Sequence, residues 1–205
     1  MRATMGRRFV QERRRDRYYR AAQREGLRSR AAFKLFYLAH RYPILRPGDR
    51  VLDLGAAPGG WAMAALDLTA PDGEVVGVDL RKIEPAPRLT VVRGRVGDAD
   101  LVGRLGGREF DTVLSDMSPR ISGAYATDHA RSVELVRVAA QLAHEVLAEG
   151  GSFVAKLFDG DLRPELEAEL ARRFRTLDRT KPPASRSPSS EMYLIGLEHR
   201  PAQTP

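Results

Sequence analysis

"VLDLGAAPGGW", residues 51–61, decides the fold. Val51 to Leu54 is an apolar run broken by one carboxylate, Asp53, and it enters a turn carrying Gly55, Gly59 and Gly60. "GGWAMAALDL" then reads as a helix. Strand, glycine turn and helix in that order open a sheet whose strands alternate with helices. The pattern repeats outward. "GEVVGVDL" (73–80), "RLTVVRG" (88–94), "FDTVLSDMSP" (110–119) and "GSFVAKLF" (151–158) are predicted strands. A helix capped by Ser29 precedes the first of them and stops before Pro43. A long amphipathic helix starts near Asp128, with Val133, Val136, Ala140, Ala143 and Leu147 on its apolar face, and is closed by Gly150. "RPELEAELARRF" (163–174) is a further helix, and "RTLDRT" and "EMYLIGLEH" complete the chain. The fold class expected is α/β, a doubly wound and mainly parallel sheet, and ligands of such sheets bind outside the carboxyl ends of the strands.

Composition sets limits on function. The chain of 205 residues suits one domain with a real core. No stretch approaches the roughly 18 apolar residues of a membrane span. There is no cysteine, which removes disulfides, thiolate metal sites and cysteine nucleophiles. The four histidines show no ligand spacing, so no metal is expected. With no apolar signal region, a cytoplasmic protein is the expectation. Residues 1–30 hold eleven arginines against Glu12, Asp16 and Glu25, or +8 of a chain total of +7, which leaves −1 for the other 175 residues. An arm so charged suits a polyphosphate partner, because arginine grips phosphate with a planar fork. A solvated helix face or a transit peptide would also concentrate arginine, but the arm's acids and its continuity with the next helix argue against the second.

The glycine turn is not the dinucleotide pattern, because Ala57 stands where the second glycine would be. Acids surround it instead. Asp53 precedes the turn and Asp79 ends the next strand, where a carboxylate can accept the hydroxyls of an adenosine ribose. Acidic surroundings with no phosphate cradle suit a cationic sulfonium, which points to S-adenosylmethionine. A tight turn that serves only helix–sheet packing is the alternative.

Lys156 lies near the end of an apolar strand with no neighbour in the run to neutralise it. A buried ammonium is costly unless paired. Asp116 ends the preceding strand and reaches the same sheet edge. Glu191 opens the last strand, and if that strand is antiparallel beside the Lys156 strand, its start falls there too. Lys34, the only charge in "AAFKLFYL", comes from the helix before the first strand. Two lysines and two carboxylates thus converge beside the cofactor turn. Two structural salt bridges would give the same pattern.

"SRAAFKL", "VLDLGAAPGGW", "VLSDMSP", "GGSFVAKLF" and "KPPASRSPSSEMYLIG", in this order from about Arg7 to Gly196, resemble the FtsJ/RrmJ family of ribose 2′-O-methyltransferases. The resemblance implies a Rossmann-like, class I methyltransferase fold of seven strands, one of them antiparallel. It implies S-adenosylmethionine as methyl donor and a catalytic tetrad of Lys34, Asp116, Lys156 and Glu191. It also implies that the substrate is a uridine ribose of large-subunit ribosomal RNA, within the large ribosomal subunit. Relatives that act on the tRNA anticodon loop keep a second substrate open, and a non-catalytic RNA-binding module of the same fold is a third reading.

In this frame residues 1–28 form an RNA-docking arm, 29–198 the methyltransferase domain and 199–205 a tail of a monomeric protein. Lys156 is the expected general base, with Asp116 orienting it and Lys34 and Glu191 positioning the hydroxyl. The expected cofactor contacts are Asp53, Gly55, Gly59, Gly60, the Trp61 backbone, Asp79, Asp98 and Asp116. Asp98 is included because the family carries an aspartate directly after the glycine that follows the third strand, where this chain has Arg95. Arginine has no acceptor for an adenine amino group, so either Gly97 lets the chain bring Asp98 in instead, or backbone carbonyls read the amine and Arg95 points to solvent. Tyr18 and Tyr19 could stack on RNA bases, and Lys181, Ser185 and Arg186 could hold the RNA backbone. Base methylation fits less well, since C5 chemistry wants a cysteine and "DMSP" lacks the second proline and the aromatic of the adenine-amino loop.

Overall fold

A computed structural model describes residues 31–182 and 190–201. The arm at 1–28 with Tyr18 and Tyr19, the capping Ser29, the loop residues Ser185 and Arg186 and the end of the tail lie outside the described residues. The elements run α1 (Ala32–Arg41), β1 (Arg50–Leu54), α2 (Gly60–Leu68), β2 (Glu74–Asp79), β3 (Leu89–Arg93), α3 (Leu101–Arg104), β4 (Phe110–Ser115), α4 (Tyr125–Val146), β5 (Leu147–Phe158), α5 (Arg163–Ala171), β6 (Phe174–Thr180) and β7 (Glu191–His199). They build one seven-stranded sheet in the order β3-β2-β1-β4-β5-β7-β6. Strands β1 to β5 pair in parallel, and β7 is inserted antiparallel between β5 and β6. The chain winds from β1 out to β3 and returns to place β4 on the other side of β1. The carboxyl ends of β1 and β4 therefore flank the point where strand order reverses, with Leu54 opposite Ser115.

Helices cover both faces. Leu52 and Leu54 pack with Val133, Val136 and Ala140 of α4 and Leu166 of α5, whereas Val51 packs with Leu35 and Leu38 of α1 and Trp61 and Ala65 of α2. Alternation along β1 turns Asp53 toward the second, α1–α2 face. Among the described residues no helix is long and apolar enough to cross a membrane.

Two expected boundaries move. The long helix starts at Tyr125 and ends at Val146, not at Gly150. Leu147 is buried, and it pairs with Phe110 as the first residue of β5. The register then slips, since Thr112 pairs with Ser152, and the extra residues form a bulge in which Gly150 takes a φ of 78°. Helix α5 stops at Ala171, which frees Phe174 to open β6 and stack on Phe153 with ring centroids 5.9 Å apart. The short α3 was not legible in "LVGR".

Candidate active site

The antiparallel insertion of β7 assembles the polar cluster. Lys156 pairs with Tyr193 across β5 and β7, and Phe158 with Glu191, so Glu191 starts at the edge where β5 ends. Asp116 follows directly on β4. Lys156 Nζ donates to the Asp116 carbonyl oxygen at 2.6 Å and to Asp116 Oδ1 at 3.0 Å. On the α1 side, Lys34 Nζ forms a salt bridge with Glu191 Oε1. All four residues that the sequence singled out meet here, as two ion pairs. Lys156 is the more enclosed lysine, with its side chain 8% exposed.

Tyr193 joins the two pairs, and sequence reading missed it. Its hydroxyl donates to Asp116 Oδ1 at 2.7 Å and lies 3.4 Å from Glu191 Oε1. The Lys34 ammonium sits 5.8 Å from the centre of its ring, and the Trp61 ring stacks on it with centroids 5.5 Å apart. Burial, followed by the charges of Asp116 and Glu191, pushes the phenol well above its ordinary value of 10. It stays a neutral donor. The Trp61 ring is itself core, its indole N–H donating to the Ala31 carbonyl at 2.8 Å.

The glycine turn lies beside Met117 and the end of β2. A Cβ on Gly55 would fall 2.6 Å from Met117 Cγ, and Gly55 already has a φ of 77°. Gly59 has a φ of 107° as the residue that starts α2, with Gly60 as its first helical residue. Asp79 is anchored by two backbone amides, Ala57 at 2.9 Å and Arg81 at 2.8 Å, one on each carboxylate oxygen. Asp53 is fully buried, and neither of its oxygens has a hydrogen-bond partner among the described residues. Burial, then the charges of Asp116 and Asp79, push it up to about 8, with the Ala62 amide of α2 pulling the other way. Asp98 Oδ2 accepts the Arg95 N–H at 2.9 Å, so its carboxylate folds back to the position after the β3 glycine. Gly97, with a φ of 109°, makes that return possible. Lys181 sits exposed just after β6.

The FtsJ-like methyltransferase family model matches residues 27–199. The chain belongs to the FtsJ-like methyltransferases. It is 44% identical over 202 residues to the ribosomal RNA large subunit methyltransferase E of Methanothermobacter thermautotrophicus, covering 96% of this chain and 95% of that one. It is 43% identical over 189 residues to the protein of the same name from Granulibacter bethesdensis, covering 91% and 81%. Among solved structures, a Plasmodium falciparum protein described as a ribosomal RNA methyltransferase superposes with a TM-score of 0.75 at 27% identity, over 84% of this chain and all of that one. Aeropyrum pernix fibrillarin, solved with natively bound S-adenosyl-L-methionine, shares the fold, with a TM-score of 0.53 at 16% identity over 75% and 68% of the two chains.

Beside the glycine turn this chain has room and a cluster of carboxyl groups. Gly55 leaves open what any side chain would fill against Met117. The carboxyl of Asp53 lies buried in the neighbourhood of Asp79 and Asp116, with the Ala62 amide close to it but no hydrogen bond of full geometry to either oxygen. Buried polar groups are normally satisfied, so Asp53 is suited to meet a donor or cation that arrives with a ligand.

Proposed function

We propose that this protein methylates the ribose 2′-oxygen of a uridine in large-subunit ribosomal RNA, with S-adenosylmethionine as donor and Lys156 as general base. The setting of Lys156 carries the reading. A neutral lysine amine has two N–H bonds and one lone pair. The carbonyl and carboxylate oxygens of Asp116 take both N–H bonds and leave the lone pair for a hydroxyl proton. As the 2′-oxygen attacks, its proton passes to Lys156 Nζ, and Asp116 offsets the charge of the resulting ammonium. Lys34 and Glu191 hold the hydroxyl from the α1 side, and Tyr193 keeps Asp116 in place.

S-adenosylmethionine, when bound, would supply a methyl group on a cationic sulfur, whose C–S bond would break as the 2′-oxygen takes the methyl, leaving the neutral thioether S-adenosylhomocysteine. Asp53, Gly55, Gly59, Gly60, the Trp61 backbone, Asp79, Asp98 and Asp116 would hold the cofactor. Each acid favours a cation, and the two amides that fix Asp79 would hold it ready to accept ribose hydroxyls. Positioning of hydroxyl and donor accounts for much of the acceleration in such a displacement.

The names of the relatives from M. thermautotrophicus and G. bethesdensis support large-subunit ribosomal RNA as the substrate. The arginine arm, residues 1–28, docks that RNA through phosphate contacts, which position but do not specify. Nucleoside mass spectrometry after incubation of large ribosomal subunits or tRNA with labelled cofactor tests the whole reading. 2′-O-methyluridine from the subunits is expected. A methylated base, or transfer confined to tRNA, would overturn it. Deleting residues 1–28 should weaken RNA binding and flatten its salt dependence.

A further inference from the structure

Just past the strand end that carries Lys156, a backbone carbonyl and the buried ring of His129 hold one exposed aromatic ring. Tyr125 opens α4 and is 60% exposed, although an aromatic residue gains most by burial. Its hydroxyl donates to the Asp159 carbonyl at 2.6 Å, three residues beyond Lys156 on the same strand and its exit. Its ring lies almost parallel to that of His129, with centroids 6.4 Å apart and planes 15° from each other.

His129 is fixed in turn. The Leu162 N–H donates to Nε2 at 3.0 Å, which assigns the ring proton to Nδ1, and Nδ1 donates to the Phe158 carbonyl at 2.7 Å. Gly160 packs so tightly that an added Cβ would fall 2.5 Å from His129 Cγ. The loop between Asp116 and α4 is held as firmly. Buried Asp128 accepts from Ser122 N at 2.8 Å, Ser122 Oγ at 2.7 Å and Gly123 N at 3.0 Å. From this loop Ile121 projects, 62% exposed, and the cations Arg120 and Arg131 lie exposed beside it.

None of these groups has a part in the proton transfer. A pinned aromatic ring held to the exit of the strand that carries Lys156, with exposed Ile121 four residues before it and exposed Arg120 and Arg131 joined by a hydrogen bond of 3.4 Å, matches the chemistry that binds an unpaired nucleotide. We propose that Tyr125 is a stacking platform for a base adjacent to the methylated nucleotide, with exposed Ile121 of the preceding loop as a further apolar contact, and that Arg120 and Arg131 engage the flanking phosphates. The inference rests on the RNA substrate proposed above. Its logic is that of a preorganised subsite: the ring is already fixed, so little side-chain freedom is lost on binding.

Steady-state methyl transfer to large-subunit RNA by the full-length protein tests it, with Tyr125→Ala, Tyr125→Phe and Tyr125→Trp compared. The alanine variant should raise KM for RNA roughly 5- to 100-fold, as loss of one base–aromatic stack implies. Its kcat and its affinity for S-adenosylhomocysteine should stay near the parental values, the latter also verifying that it folds. Phenylalanine and tryptophan keep a π-face and should remain within about threefold of the parent. A parental KM in the alanine variant overturns the platform. If the parent methylates no RNA, the proposed function fails instead; binding of a fluorescein-labelled single-stranded RNA then reads the platform by itself, and equal affinity of parent and alanine variant overturns it.

Discussion

Tyr193 and Lys156 hydrogen-bond the same oxygen, Asp116 Oδ1, at 2.7 Å and 3.0 Å. The phenol and the amine thus fix one carboxylate from two strands. Their chemistry differs. The phenol is pushed far above the working range and only donates, whereas Lys156 has an amine that can take a proton.

Tyr193→Phe should therefore be the mild change. It removes one donor from Asp116 while both Lys156 contacts remain. A hydrogen bond to a charged group is worth about 1.5–3 kcal/mol at most, and half of the anchoring persists. A fall in kcat of about tenfold or less is expected, with cofactor affinity kept. Loss of all activity in a folded variant would make the hydroxyl a reacting group and undo the division of roles.

Lys156 substitutions should be severe. Lys156→Ala removes the proposed proton acceptor, and at least a 100-fold loss of kcat is expected if general-base catalysis is its role. Lys156→Arg keeps the positive charge and the contact to Asp116 but cannot deprotonate, so it should be as inactive as alanine. An active arginine variant would assign the lysine to electrostatics and reject proton transfer.

How far the sequence foretold this arrangement depends on the range of the signal. The glycine turn and the acid ending β2 were legible because each is fixed by residues next to it in the chain. The tetrad was legible because a charge in an apolar run is conspicuous at Lys34 and Lys156. Tyr193 was not, since in "EMYLIGLEH" a tyrosine reads as one more core residue, and its partner Asp116 is 77 positions away. The end of α4 failed for another reason. Leu147 continues the apolar face of the helix as well as it starts a strand, and only pairing with Phe110 decides between them.

Asp53 gives the site a pH dependence whose sign can be worked out. Its native value is about 8 against 3.8 for the ordinary carboxyl. Between those limits the folded protein holds a proton that the unfolded chain has lost, so this group's contribution to stability falls as pH rises from about 4 through 8. Asp53→Asn should flatten that decline in urea unfolding. Cofactor binding near neutral pH should release a proton, because a cation favours the carboxylate. Calorimetry in buffers of different ionisation heat would read the release, and an equal release in the asparagine variant would place the proton elsewhere.

Gly55→Ala tests the turn. The substitution places a Cβ 2.6 Å from Met117 Cγ and forces a side chain onto a φ of 77°. Backbone strain alone costs on the order of 1–3 kcal/mol. A double variant with Met117→Ala relieves the contact and leaves the strain. It should recover only part of the stability lost in thermal unfolding, and full recovery would show that the left-handed backbone is not what requires glycine.

Asp98 is the proposed acceptor for the adenine amine of the cofactor, since Arg95 has none to offer. The carboxylate already accepts the Arg95 amide through Oδ2, which returns it to the stretch from which an aspartate would act. Its second oxygen has the capacity to accept from N6. Asp98→Ala should weaken S-adenosylhomocysteine binding by on the order of 1 kcal/mol, about fivefold. The inosine analogue of that ligand, with an oxo group in place of the amine, separates recognition from turn geometry. It should bind the parent and the Asp98→Ala variant more nearly alike than the adenosine compound does. If the alanine variant lowers the affinity of both ligands equally, Asp98 shapes the loop alone, and adenine is read by backbone carbonyls.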